Sequence, residues 1–293
     1  MRDIAIQDLQ RALFGDFRGC FAMMGTAYLE ESADATQSNA FVAAGFFCVD
    51  PQWKSLRRAW RRVLRPHGIP YYRTADWRSL EGSFKPLREK WGNERARAIA
   101  DKVRSRLIDV LNGGDLLIGF GFGVNMHDFW EIDRTPDAKA CRQWMRECHD
   151  YHAYGFRNVF GKIIHTVMQL GDGDNYVFFE VDDSSRFPKV KRAYDRFKRK
   201  YPELGERMLS LVPMDDKKIP ELQMADLLAD VGREMTTRHI VTRERAEPSC
   251  IKERILNFDC AHRHSMLRVL SGEAASMQDD PNSSAAGLTL RSS

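Results

Sequence analysis

The chain has 293 residues, 43% of them hydrophobic, enough to bury a sizeable core as one large domain or two small ones. Its 45 basic and 41 acidic residues leave a formal charge of only +4, so overall charge by itself does not point to a nucleic-acid partner. No stretch reaches the ~20 apolar residues needed to span a bilayer, and the first residues carry Asp3, Asp8, Arg11 and Asp16 where a secretory signal needs a basic start and an apolar run. The expectation is a cytoplasmic protein with no membrane segment. Six cysteines, at 20, 48, 141, 148, 250 and 260, show no C-x-x-C spacing and read as reduced thiols. Cys148, His149 and His152, and separately Cys250, Cys260, His262 and His264, are close in sequence but lack a zinc spacing.

Residues 1–18 have weak helical spacing through Ile6, Leu9 and Leu13 and form a lead-in. Gly19 to Asp34 is an almost unbroken apolar run that ends in Glu30 and Glu31, the pattern of a central strand buried on both faces. Acids closing such a strand need water, a cation or hydrogen-bond donors, so they mark either an opening in the fold or a solvated hairpin turn. Phe41 to Val49 is a second apolar strand, and Asp50-Pro51 starts a helix over 52–65. Pro70 to Trp77 reads as a short strand, residues 82–92 as loop, and 93–112 as a helix stopped by Gly113-Gly114.

Asp115 to Asn125 (DLLIGFGFGVN) is a further strand. Its glycines alternate inside the apolar run, not in a strand-to-helix turn, which excludes a dinucleotide phosphate loop. Helical spacing runs from Thr135 to about Gln169; Asn175 to Asp183 is a strand, 186–200 a helix, Arg207 to Pro213 a strand, and Pro220 opens a helix over 220–238. A modest helix is predicted at 249–271, and the Ser, Ala, Asp and Gly content after 274 predicts a disordered tail. The predicted organisation is a lead-in (1–18), a main domain (19–245), a C-terminal helical extension (246–273) and the tail (274–293). Strands first and then alternating helices and strands predict an α/β fold with a mixed sheet.

Two helices are strongly basic: Lys54 to Arg65, with Arg57, Arg61 and Arg62, and Lys189 to Lys200, with Lys191, Lys198 and Arg199. Both suit a phosphate backbone, yet each also has an apolar stripe and reads equally as a solvated amphipathic face. In the strand at 175–183 the period of two places Phe178, Glu180 and Asp182 on one face. Glu180 inside a strand needs a cation or a place at the sheet end. In the helix after Pro220, Met224, Leu227, Leu228, Val231 and Met235 form an apolar stripe; Gln223, Asp226, Asp230 and Glu234 lie opposite. Ala225 and Ala229 beside Asp226 allow close approach to a sheet. Acids on an early strand, a later strand and a late helix suit two-metal chemistry, with ions ~3.5–4 Å apart.

Four segments, Ala27-Tyr-Leu-Glu-Glu-Ser-Ala-Asp34, Phe41 to Trp60, Phe178 to Asp183 and Leu222-Gln-Met-Ala-Asp-Leu-Leu-Ala229, resemble the family called domain of unknown function 3800. That family has Asp-Glu-Ser-Gly closing its first strand and Leu-Gln-x-Ala-Asp on a late helix. The resemblance covers roughly residues 25–235 and implies a ribonuclease H-like mixed sheet flanked by helices, with helical insertions, and a metal-dependent nuclease. Carried over, Glu30 stands where the family has its first aspartate, Glu31 and Ser32 match, Ala33 replaces glycine, Asp182 matches the strand-end aspartate, and Gln223 and Asp226 match the helix pair.

The resulting expectation is a hydrolase of phosphodiesters in DNA or RNA. Glu30, Asp182 and Asp226 would hold two Mg²⁺ (or Mn²⁺) ions, with Glu31, Glu180 and Gln223 in support and Lys217 on a phosphate. Glutamate at 30 adds a methylene to the family's aspartate, which keeps a second expectation open: a catalytically weakened nucleic-acid- or partner-binding module on the same fold. A third, an unrelated enzyme using Cys148, His149 or His152, has only sequence proximity behind it.

Overall fold

The computed structural model describes residues 24–33, 39–113, 117–127, 129, 150–169, 175–242 and 256–261. The first apolar run becomes β1 (Met24–Ala33), paired antiparallel with β2 (Ala40–Cys48). Both are apolar throughout because both faces are covered: Ala27, Leu29, Phe41 and Ala43 enter one core, and Tyr28, Val42, Ala44 and Phe46 the other. β3 (Ile118–Asn125) pairs antiparallel with β2, while β4 (Tyr176–Asp182) joins β1 in parallel and β5 (Met208–Met214) joins β4 in parallel. β6 (Leu256–Ala261) lies parallel to β3 at the far edge. The order is β5-β4-β1-β2-β3-β6 with β2 alone reversed, a ribonuclease H-like mixed sheet with helices on both faces.

One face carries α1 (Asp50–Leu64), α2 (Thr74–Ser79), α3 (Lys85–Asn112) and, directly on the sheet, α7 (Pro220–Thr242). The other carries α4 (Tyr151–Gln169) and α5 (Phe187–Lys200), with the single turn α6 (Pro202–Gly205) leading to β5. α1 buries Trp53, Leu56, Trp60 and Leu64, the apolar stripe of its sequence. Lys85–Asn112 is broken at Gly92, whose φ of 72° and ψ of 169° suit a residue without a Cβ. The alternating glycines of β3 leave a seam for α7: a Cβ at Gly123 would run into the Thr236 hydroxyl.

Four expectations are corrected. Residues around Thr74 form α2, not a strand, because the amides of Tyr72 and Thr74 donate to the side chains of Gln223 and Asp226 on α7, leaving no ladder for a strand to join. Residues 256–261 form β6, not part of a helical extension: Leu256, Phe258 and Cys260 recur with period two, and the open edge of β3 supplies backbone partners. Residues 85–91 are helical, not loop, because the break in the helix is confined to Gly92; the polar arc of α7 is covered as well, with Gln223 and Asp230 buried and Asp230 paired to Arg78 and Arg104. The lead-in at 1–18, the helical region from 135 to 149 and the tail from 274 lie outside the described residues.

Candidate metal centre

β1, β4 and β5 run parallel side by side, so their C-terminal ends share one edge of the sheet. Each end carries an acid. The pleat turns Glu30 to the same face as Tyr28, and Asp182 to the same face as Glu180, which is the face that α7 covers. Asp216 follows two residues after β5 ends at Met214. Glu30, Asp182 and Asp216 each place a carboxylate oxygen within 4.8 Å of the others, and no other group of three or more His, Cys, Asp or Glu converges in this way among the described residues. Glu30 and Asp216 are only 9% and 7% exposed.

Such crowding makes ionisation costly. Burial, then the charges of Asp226 and Asp182, push the Glu30 carboxyl well above the usual range, against one hydrogen bond from the Glu31 amide to Oε2 at 3.1 Å. Burial and the neighbouring Asp216 push Asp182 up to about 6. Asp226 is pushed up to about 6, by burial first and by Asp230 in addition, while the Thr74 amide, donating to Oδ2 at 2.6 Å, favours the ionised form. Burial also raises Asp216, and Arg73 opposes that rise. Four acids that resist ionising together form a donor set of hard oxygens short of positive charge, and Mg²⁺ and Mn²⁺ prefer such sets.

The geometry is fixed by Gln223. Its Oε1 accepts from Trp60 Nε1 at 3.0 Å and the Tyr72 amide at 3.1 Å, and its Nε2 donates to the Asp216 carbonyl at 2.9 Å. One buried amide therefore ties α1, the approach to α2 and the Asp216 turn to α7. Asp230, one helical turn beyond Asp226, belongs to a different constellation: it is fully buried and ion-paired to Arg78, Arg104 and Arg233.

Of the residues singled out in the sequence, Glu30 and Asp182 come together, with Asp226 close enough for its charge to act on Glu30. Glu31 does not join them. It faces the opposite side of the sheet, ion-paired to Arg186 and 3.8 Å from His152 Nε2. Glu180 lies two residues back from Asp182 and is raised by burial and by Glu221, with Arg57 opposing. Lys217 is exposed beside Asp216. His152 is buried in α4 with Nδ1 2.7 Å from Asp150 Oδ1; Cys148 and His149 lie outside the described residues, as do Cys250, His262 and His264.

The two basic helices flank opposite faces of the sheet, so their six residues form no single surface. On α1, Arg57 Nε donates to Glu221 at 2.6 Å while Arg61 and Arg62 are exposed. On α5, Arg199 is exposed, Lys191 pairs with Asp195 at 2.6 Å, and Lys198 Nζ donates to the Met208 carbonyl at 2.6 Å. Met208 begins β5, so Lys198 sits about 20 Å, six strand residues, from the acidic edge.

The sequence reading missed two residues, Asp216 and Arg73. Asp216 had a legible signal: Asp215-Asp216 follows the predicted strand at 207–213 much as Glu30-Glu31 and Asp182-Asp183 close theirs. Arg73, whose Nε lies 2.7 Å from Asp216 Oδ2, had none.

No protein-family model and no curated protein matches the chain. Among solved structures, a chain of the PCNA:RNase HII complex from Archaeoglobus fulgidus is similar at 15% identity and a TM-score of 0.33, covering 86% of this chain and 90% of its own. Bst-RNase HIII in complex with Mn²⁺ is similar at 10% identity and a TM-score of 0.36, covering 84% of this chain and 70% of its own.

Proposed function

We propose that the protein is a metal-dependent phosphodiesterase acting on nucleic acid, with the properties implied by its resemblance to the domain of unknown function 3800 family. The observation that carries this reading is the convergence of Glu30, Asp182 and Asp216 at the ends of three adjacent parallel strands. These three would supply oxygens for one Mg²⁺ or Mn²⁺, and Asp226, held by the Thr74 amide, would complete the donor set for a second. Divalent ions held there would supply Lewis acidity for a phosphoryl oxygen and for a water nucleophile.

The chain's own residues set the geometry. Gln223 holds the Asp216 turn, and the Glu31 amide holds one oxygen of Glu30. Arg61 and Arg62 on α1 share the metal centre's side of the sheet and supply sequence-independent attraction for the phosphate backbone. The second reading, a binding module with a weakened centre, draws support from the longer Glu30 side chain and from Arg73 on Asp216.

The deciding experiment incubates the full chain with labelled DNA and RNA in Mg²⁺, Mn²⁺ or EDTA. Cleavage is expected only with metal and is abolished in Asp182→Asn and Asp216→Asn, both of which stay folded. Glu30→Asp, which restores the family's residue, raises activity if the shorter arm corrects the geometry and lowers it if the site has re-fitted around glutamate. A wild type that neither cleaves nor binds Mn²⁺ leaves the binding-module reading.

A further inference from the structure

Arg73 is the one cation ion-paired to the three clustered acids among the described residues, and its surroundings give it more donors than that contact uses. Its side chain is 40% exposed, its Nε meets Asp216 Oδ2, and it makes no other ion pair or hydrogen bond through its side chain among the described residues. A guanidinium carries five N–H donors in a rigid fork, and no side-chain or backbone hydrogen bond occupies them among the described residues. The charges of Asp226, Asp76 and Asp182 also act on it. Its backbone cannot drift away, because the next amide, Thr74, is tied to Asp226 and its own carbonyl accepts from Trp77 at 2.9 Å.

We infer that Arg73 is the phosphate-binding residue of this site: it neutralises Asp216 in the metal-free protein, and turns its guanidinium to a substrate phosphate once a divalent ion takes Asp216. The inference rests on reading the acids as a metal centre. A dication seated on the Asp216 carboxylate satisfies the charge that Arg73 was meeting and repels the guanidinium at short range. With its backbone anchored, the displaced side chain needs a new anion at the same mouth. A phosphodiester presents two oxygens in the geometry the fork accepts bidentately, which a lysine at this position could not match. Lys217, exposed and next to Asp216 in the chain, with Nζ 5.9 Å from the Tyr71 ring centre, adds a second positive charge nearby.

A purely structural Arg73, bracing Asp216 for the metal, predicts the opposite sign for one measurement. Mn²⁺ affinity is read by titration calorimetry on the full chain without nucleic acid. Affinity for a fluorescein-labelled phosphorothioate oligonucleotide, DNA and RNA in parallel, is read by anisotropy with and without Mn²⁺. In Arg73→Gln, Mn²⁺ is expected to bind about 2–5-fold tighter, because a competing cation held in a partly exposed ion pair is gone. The gain in oligonucleotide affinity that Mn²⁺ gives the wild type should fall by about 10-fold, the cost of a lost charged hydrogen-bond pair. Arg73→Lys, which keeps the charge without the fork, should recover the wild-type Mn²⁺ affinity but not the oligonucleotide gain; it also stands in should Arg73→Gln misfold. Weaker Mn²⁺ binding with unchanged oligonucleotide affinity overturns the inference and leaves the metal centre standing. A wild type that binds no Mn²⁺ overturns the metal centre, and Arg73's role with it.

Discussion

Asp226→Asn tests the electrostatics of the site without requiring any substrate. In the folded metal-free protein the Asp226 carboxyl is pushed from 3.8 to about 6, chiefly by burial. A folded value above the unfolded one means that the ionised form burdens the fold. The burden is complete above about pH 6, shrinks as pH falls from about 6 to about 4, and is absent below the unfolded value. At 1.36 kcal/mol per pH unit the gap sets an upper bound of ~3 kcal/mol, and partial solvation of the side chain reduces this to ~1–2 kcal/mol. Asparagine keeps the shape and an oxygen for the Thr74 amide, which now donates to Oδ2, but it cannot ionise. In EDTA at pH 7.5 the variant should therefore be more stable than wild type by ~1–2 kcal/mol, about 2–8 °C in Tm, with the advantage gone by about pH 4. Urea unfolding of both proteins across this pH range reads the difference directly. Mn²⁺ at a hundred times its Kd should stabilise the wild type by about 2.7 kcal/mol. A variant less stable than wild type at pH 7.5 in EDTA, or a difference that does not change with pH, would refute the account of a crowded acid cluster.

Gln223→Ala removes the amide that joins Trp60, Tyr72 and the Asp216 turn, leaving buried groups unsatisfied. It should cost about 2–4 kcal/mol in urea unfolding and weaken Mn²⁺ binding; unchanged Mn²⁺ affinity would show that Asp216 keeps its place without it. Leu228→Asp puts an unpaired charge at a fully buried position of α7 and should destabilise by more than about 4 kcal/mol, read as loss of the cooperative unfolding transition. Charge reversal at Arg61 and Arg62 should weaken oligonucleotide binding and flatten its salt dependence, whereas reversal at Lys198 and Arg199, on the other side of the sheet, should do so less. Equal effects from the two pairs would return α5 to the binding surface.

Local pattern was a good guide where one physical demand dominates. Long apolar runs became β1, β2 and β3, because a strand covered on both faces has no polar position to spare; the alternation at 176–182 put Glu180 and Asp182 on the face later found under α7. The acids were legible for the same reason: a charge ending a buried run marks where cover is lost, at the last residue of β4 for Asp182 and, for Glu30, just past the end of its pairing with β4, although β1 itself runs on to Ala33 beside β2. Only the tertiary structure decided which of these acids meet. Glu30 and Glu31 are neighbours in sequence, yet the pleat sends one to the acidic cluster and the other to Arg186. Asp216 and Arg73 enter the centre because parallel pairing of β1, β4 and β5 brings their ends to one edge, and because Gln223 and Asp226 draw the chain around Tyr72 and Thr74 across α7. The polar arc of α7 had the periodicity of a solvated face, and only the insertion folding over it, with three arginines meeting Asp230, turned it into a buried one. Periodicity reports which side chains share a face; what covers that face is set by contacts far apart in the chain, and no local window contains them.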